Sequence, residues 1–367
     1  MYIHDYSYIS PQHTFRETDI ASIVEYTDNK LTAIEPGYAD IPPGVLRRMG
    51  KAVRIGIGAA MPVIQHQSID GIIIGTANGG MEDCIKFLNQ IIDYDEGMLT
   101  PGSFVQSTPN AIAGQIGLLD KNTGYNITHV HLGLAFENAL LDAFMMVREH
   151  PGTQYLVGAV DVISSYNYHI DLLKGTFRKD LISNKDLYNT TTTGTIAGEG
   201  AGTLRVNDIP ENAVAQIRAI KMIHTEDENE IKAALQDFLR QQVNPNGAPD
   251  LFISGENGDE RLLKYYRAAE SVFPDDTTIA RYKHLCGDFP TASSIALWLA
   301  CYKSPLPNHC IKRPGSLRQH QSIVIYNNYY GKQHGFVYLT KYQHSQLLLN
   351  FLYDAGTGCR FFPVFMI

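Results

Sequence analysis

The stretch "YNITHVHLGLAFENALLDAFMMV", Tyr125 to Val147, holds the residues best placed to do chemistry. A short β-branched strand reaches Thr128, and a long apolar helical segment begins near Leu132. His131 stands in the turn between them. A side chain at a strand-to-helix turn faces the positive end of the helix, which favours an anion and disfavours an imidazolium. The ordinary reading of His131 is a hydrogen-bonded structural imidazole. The sharper readings are a group that faces a substrate or one with a residual catalytic role. His129, two residues earlier, reads as structural or interfacial.

Other candidates are weaker. "GTANGG" has the glycines of a phosphate loop but no Lys-Ser/Thr after them, so it reads as a strand-to-helix turn. The cysteines are Cys84, Cys286, Cys301, Cys310 and Cys359; their number is odd and none forms a CxxC pair, which fits reduced thiols in a cytoplasmic protein. No Cys/His cluster has metal-ligand spacing along the chain, and no metal or cofactor is expected. The net charge of -8 argues against a general nucleic-acid binder. No apolar run reaches the roughly 20 residues needed to span a bilayer, and "MYIHDYSYISPQH" has no signal-peptide pattern.

The elements that must position these residues alternate. Residues 1–40 read as irregular. "IPPGVLRRMGKAVRIGIGAAMPVI" reads as one helix with Val45, Met49, Val53 and Ile57 on a face. A buried strand at Ile72–Ile74, a helix at "MEDCIKFLNQIID", a helix entered through Ser107–Pro109 and a strand at "QYLVGAVDVISS" complete a layered α/β first half. The second half repeats the alternation: two strand-like runs, an amphipathic helix with Ile231, Leu235 and Leu239, a strand at "PDLFIS", two more helices, and two strands around the turn in "SIVIYNNYYGKQHGFVYL". A 367-residue chain of 44% hydrophobic residues can bury two such similar halves.

Five segments in order carry a resemblance to the ketosynthase branch of the thiolase-like superfamily, over roughly residues 40–340. They are "IPPGVLRRMGKAVRIGIGAA", "STPNAIAGQIGL", "GTIAGEGAGTLRV", "YKHLCGDFPTASSIALWLA" and "IVIYNNYYGKQHGFVYL". The Gly-Glu-Gly-Ala-Gly turn at Gly198 to Gly202 is the most specific, and Glu199 in it reads as structural. The resemblance implies five layers, α-β-α-β-α, made of two pseudo-equivalent halves, 1–165 and 166–340, with an extension at 341–367.

It also implies a chemistry: a cysteine at a helix tip takes an acyl chain from a carrier protein, and two histidines assist decarboxylation of a malonyl thioester. All three positions are changed here. His131 fills the cysteine position, with Gly133 matching the small residue that follows. Ser254-Gly255-Glu256-Asn257 stands where the family has Ala-His-Gly-Thr, and Asp288 stands at the second histidine position. Lys283 is retained, His284 lies four positions early, and Tyr329, Tyr330 and Gly331 match an aromatic gate and its glycine turn. Anionic Glu256 or Asp288 facing an enolate would oppose condensation. Asp288 reads as a helix-capping or ion-paired carboxylate.

The resemblance therefore points to a degenerate subunit similar to a chain-length factor. Such a subunit pairs with an active ketosynthase, or with itself, and works with an acyl carrier protein in fatty acid, polyketide or aryl-polyene assembly. The alternative is an active 3-oxoacyl synthase or acyltransferase using His131. In either case the region at about 98–130 is expected at the dimer seam.

Overall fold

A computed structural model of the chain describes residues 1–16, 20–39, 41–242, 248–316 and 320–342. The first half holds β1 (Tyr2–Ile9), β2 (Lys30–Leu31), α1 (Pro43–Leu46), α2 (Lys51–Ile64), β3 (Gly71–Gly75), α3 (Met81–Asp93), α4 (Pro101–Val105), α5 (Ala111–Asp120), β4 (Tyr125–His129), α6 (Ala135–Glu149), β5 (Tyr155–Asp161), α7 (Ser165–Leu173), β6 (Ala197–Gly198) and β7 (Gly200–Asn207). The second half holds β8 (Ala215–His224), α8 (Glu228–Gln242), β9 (Leu251–Ser254), α9 (Leu263–Glu270), β10 (Thr278–Arg281), α10 (Lys283–Cys286), α11 (Ser293–Cys301), β11 (Ile311–Arg313), β12 (Ser322–Tyr329) and β13 (Gln333–Lys341).

Eleven strands form one ladder in the order β11-β10-β9-β12-β13-β8-β1-β7-β5-β3-β4. The order contains a repeat. In the first half the third, second, fourth, fifth and first long strands follow one another from the edge inward, as β4-β3-β5-β7-β1. The second half has the same order, as β10-β9-β12-β13-β8. The strand directions repeat too. The outer three are parallel and the inner pairings antiparallel in both halves. Only two residue pairs, Tyr2 with Gln216 and Ile3 with Ala215, join the halves edge to edge. The repeat changes over between Asn207 and Ala215. β7 pairs with β5 and β1, so its ladder partners lie in the first half and not beyond the expected 165/166 division.

Alternation along the strands builds the layers. Ile72 and Ile74 of β3 join a cluster with Ile112 and Ile116 of α5 and Val53 and Ile57 of α2. Ile73 between them points into a different cluster, with Phe136 and Leu140 of α6 and Ile295 and Leu299 of α11. In the second half Phe252 and Val324 face Leu235 and Tyr266 of the outer helices α8 and α9, while Ile253 and Ile325 face the central cluster. The two central helices are thus sandwiched between the half-sheets, giving the five layers that the resemblance implies.

Three sequence-based expectations change. Residues 2–9 are not irregular: β1 lies at the middle of the ladder. Its polar residues disguise it, because they bond inside the protein: His4 Nε2 to Asn207 Oδ1 at 2.7 Å, Tyr8 Oη to Ser294 Oγ at 3.2 Å. The helix expected through 41–64 is broken before Gly50, which precedes α2 in extended backbone (φ -61°, ψ 160°). The expected extension from 341 begins inside a strand, since β13 runs through Lys341; residues 343–367 lie outside the described residues.

Glu199 sits at the turn between β6 and β7 and is fully buried. Its carboxylate accepts from Ala33 N at 2.7 Å and Ile163 N at 2.9 Å and pairs with Lys51. Glu199→Ala would strand two backbone donors and a half-buried ammonium. We expect it to lower unfolding stability by roughly 3 kcal/mol or more, read as a lowered urea midpoint, with Glu199→Gln losing less.

Candidate functional site

The site forms where the junctions of the two halves meet. β4 ends at His129, whose Nε2 lies 2.8 Å from Asp142 Oδ2, a structural ion pair. The chain then passes through exposed Val130, His131 and Leu132. Leu132 has φ +49°, a left-handed backbone unusual for a branched residue. The second half holds this turn in place. Gly133 N donates to Gln333 Oε1 at 3.0 Å, and Asn327 Nδ2 donates to Gly133 O at 2.8 Å. Tyr329 lies so close to Gly133 that a Cβ there would meet the Tyr329 Cβ at 2.1 Å. The His131 seat is therefore built by β12 and β13 as much as by β4 and α6.

His131 is exposed. Its Nε2 lies 3.3 Å from His224 Nε2, with the rings edge to face, and Gln333 Nε2 is 3.4 Å from the same His224 nitrogen. One turn into α6, Glu137 is buried, and its Oε1 accepts from Asn327 Nδ2 at 2.9 Å. Burial pushes the Glu137 carboxyl up to about 7, against the pull of its hydrogen bonds and of Lys283.

Asp288 belongs to the second half's junction. Lys283 Nζ donates to Asp288 Oδ1 at 2.5 Å, and Asn257 Nδ2 donates to Oδ2 at 2.7 Å. The Lys283 side chain is 2% exposed and that of Asp288 15%. Asp288 is thus ion-paired and does not cap a helix, since α11 begins five residues later behind Ala292. Among the described residues no hydrogen bond or ion pair links His131 to Asp288 or Lys283. Tyr329 packs against Gly133 in the His131 turn and feels the charge of Asp288. Burial first, then Tyr330, Asp171 and Asp288, raises its hydroxyl far above the ordinary range.

The remaining expected residues scatter. Tyr330 packs against Tyr329, with ring centres 4.1 Å apart and planes tilted by 44°, and donates to Asp171 Oδ1 at 3.3 Å, which places both tyrosines at the site. Gly331 follows in the turn. Gly255 N donates to Tyr326 O at 2.9 Å and serves the backbone there. Glu256 turns away to an ion-pair cluster, with Arg281 at 3.0 Å and Lys312, which also binds Glu270 at 2.8 Å. His284 is buried on the far side of α10, with its Nε2 on His309 Nδ1 at 2.9 Å, and does not reach the Asp288 slot. Burial, then His309 and Arg281, lowers it to about 3. Cys286 is buried and its thiol is pushed up to about 12, so it makes a poor nucleophile. In the "GTANGG" turn, the N–H groups of Ala77 and Asn78 donate to Asp161, at 3.0 and 2.8 Å, leaving no phosphate cradle.

Sequence reading missed Glu137, His224, Asn327 and Gln333. The signal was present for two of them: Glu137 interrupts the apolar face of "LAFENALLDAF", and Asn327–Asn328 interrupt the strand "SIVIYNNYY". A cavity of about 30 Å³ bounded by Asp288, Asp171, Ser164 and Phe289 adjoins the site. That is space for a water or two, not for an acyl chain.

Residues 25–172 match the family model for the beta-ketoacyl synthase N-terminal domain. The chain is ketosynthase-like in fold. It superposes on a beta-ketoacyl synthase from Burkholderia phymatum STM815 with a TM-score of 0.73 and 14% identity, covering 93% of this chain and 99% of that one. The ishigamide ketosynthase/chain length factor gives a TM-score of 0.71 at 15% identity over the same shares of the two chains. A type II polyketide synthase acyl-carrier protein in complex with its ketosynthase bound to the hexaketide gives 0.68 at 15%, again over 93% and 99%. No curated protein sequence matches the chain. Among the described residues no helix of this ketosynthase-like chain is long and apolar enough to cross a membrane.

Two measurements test the site's electrostatics. Asp288→Ala leaves the Lys283 ammonium buried and unpaired, and we expect it to cost about 3–5 kcal/mol in chemical unfolding. Glu137 binds its proton more tightly folded than unfolded. Its contribution is therefore full below pH 4.5 and lost as pH rises through about 7. Relative to Glu137→Gln, the parent protein should lose melting temperature across that window. A flat difference would remove Glu137 from this account.

Proposed function

We propose that the chain is a non-condensing ketosynthase-like subunit of the chain-length-factor kind. It pairs with a condensing ketosynthase that extends an acyl or polyketide chain on an acyl carrier protein. The Lys283–Asp288 ion pair carries this reading. It stands at a position where the resemblance calls for an imidazole that donates to a developing enolate oxygen. A carboxylate already engaged by an ammonium and by Asn257 has no proton to donate there. Asn257 offers an amide near the other position, but it is turned onto the same carboxylate. An imidazole at 131 would also hold an acyl group poorly, because acyl-imidazoles hydrolyse readily.

The pairing half of the proposal rests on a free sheet edge. Among the described residues β4 ends the ladder, and Leu118 of the neighbouring α5 and Val130 and Leu132 just after β4 are all more than half exposed. An unprotected strand edge with apolar neighbours is a surface that a soluble chain covers with a partner. Two of the similar structures support this reading: one is a ketosynthase/chain length factor, the other an acyl-carrier protein in complex with its ketosynthase.

The purified chain, mixed with acyl- and malonyl-carrier protein, should form no 3-oxoacyl product and take no acyl label. Turnover by the chain alone would overturn the proposal. Light scattering should show a dimer, with itself or preferably with a ketosynthase, burying more than about 2,000 Å². A monomer at micromolar concentration in both conditions would remove the pairing half.

A second reading has its own observation. The left-handed Leu132 and the imidazole of His224, 3.3 Å from His131, make a seat that an acyltransferase or hydrolase using His131 would need. If so, thioester turnover should exist and His131→Ala should reduce it by about 10²–10⁴. If His131 only fills the seat, the same variant should leave a partner's condensation rate intact.

A further inference from the structure

We infer that His284, His309 and Cys310 form a binding site for a single zinc-class transition-metal ion, away from the candidate site and independent of the function proposed above. The three ligand atoms, His284 Nε2, His309 Nδ1 and Cys310 Sγ, lie within 4.8 Å of one another. His284 Nε2 is 2.9 Å from His309 Nδ1, and Cys310 Sγ is 3.4 Å from that same Nδ1. A tetrahedral zinc ion with its usual bond lengths has N···N edges of about 3.3 Å and N···S edges of about 3.6 Å. The two edges at His309 Nδ1 therefore need to open by only a few tenths of an ångström to admit the ion, and the His284 Nε2 to Cys310 Sγ edge, now within 4.8 Å, must settle at about 3.6 Å. Two imidazoles and a thiolate are a donor set that zinc and its neighbours accept.

The outer partners aim these atoms inward. His309 Nε2 lies 2.8 Å from Ile20 O, which can only accept, so that nitrogen carries the proton and Nδ1 presents a lone pair. His284 Nδ1 lies 3.4 Å from the Tyr188 hydroxyl, on the side of the ring opposite Nε2. Cys310 is buried and His284 is 3% exposed, while His309 is partly open and gives the ion a route in. Binding forms an M–S and two M–N bonds, and the thiol proton leaves to solvent; no redox change is involved. The ion would clamp α10, which carries Lys283, to the turn before β11. The linear sequence hides the site because His284 lies 25 residues before His309.

The competing account is an imidazole pair joined by one hydrogen bond, with no metal. The full chain, stripped with a chelator, should be titrated with Co²⁺ and, separately, with Zn²⁺. We expect one equivalent of Co²⁺ to raise a thiolate-to-cobalt charge-transfer band, Zn²⁺ to displace it, and either ion to raise the melting temperature. Cys310→Ser should abolish the band. His309→Ala, at a partly open position, should weaken binding at least about 100-fold, and Tyr188→Phe about 10–100-fold, each in a chain shown to be folded by circular dichroism. Absence of the band in the parent, or a band unchanged in Cys310→Ser or in folded His309→Ala, would overturn the site.

Discussion

The candidate site depends on one close approach of two backbones. Asp288 N donates to Ile196 O at 2.8 Å, and Gly198 N donates to Asp288 O at 3.0 Å, so the segment after α10 is paired with the strand that leads into Glu199. Neither side has room to spare. A Cβ on Gly198 would lie 1.8 Å from Cys286 O, and one on Gly287, itself at φ +70°, would lie 2.4 Å from Ala197 O. Glycine at both places is therefore a geometric requirement. The same short run that admits the second half at Gly198 anchors the first half through Glu199. The Gly-Glu-Gly turn thus fixes where Asp288 begins, and Lys283 and Asn257 fix where its carboxylate ends.

On the proposed reading, that arrangement is how the scaffold holds together without a condensing triad. A buried ion pair is weak evidence for stability, but removing one partner is costly. Asp288 and Lys283 are of that kind, with an amide completing the carboxylate. Several groups at the site satisfy one another: Asn327 bonds both Gly133 and Glu137, Gln333 holds Gly133, and Tyr329 packs against Gly133 and Tyr330, while Glu137 Oε2 makes no hydrogen bond among the described residues. Little volume remains beside Asp288, as the 30 Å³ cavity shows. The electrostatics favour a closed, self-neutralised wall over an open pocket that awaits charge.

Much of this could be read along the chain, and the misses share a cause. The alternation of Ile72, Ile73 and Ile74 and the spacing of Ile231, Leu235 and Leu239 report burial directly, so strands and helices of that kind were legible. β1 was not, because His4, Tyr6 and Tyr8 are satisfied by partners some 200 to 300 residues away. Asp288 was legible as a helix-capping or ion-paired carboxylate, and its partner proves to be Lys283, five residues away. The partners of His131 were not, since His224 and Gln333 approach it only through the second half's strands. Glu256 lay close in sequence to the expected slot, yet the pull of Arg281 and Lys312 turns it elsewhere. Local pattern reports which face is buried; it does not report which polar groups find each other.

The internal repeat supplies the reason these distant residues converge. His131 lies between β4, the third strand of its half, and α6, a helix of the central layer. Lys283 and Asp288 lie between β10, the third strand of the other half, and α11, the other central helix. The two junctions are equivalent under the repeat, and sandwiching both central helices between the half-sheets brings their leading ends to the same region. The second strands behave alike: β3 leads into the Thr76–Gly80 turn and β9 into the Gly255–Asp259 turn, and both turns border the same region, through Asn78 beside Asp288 in the small cavity and Asn257 on the Asp288 carboxylate. A duplicated architecture thus delivers four loops to one place whatever residues they carry. The fold can therefore stay constant while the residues at the loop tips vary, and the tips here carry an exposed His131 on one side, beside His224 at the end of β8, and the Lys283–Asp288 ion pair on the other.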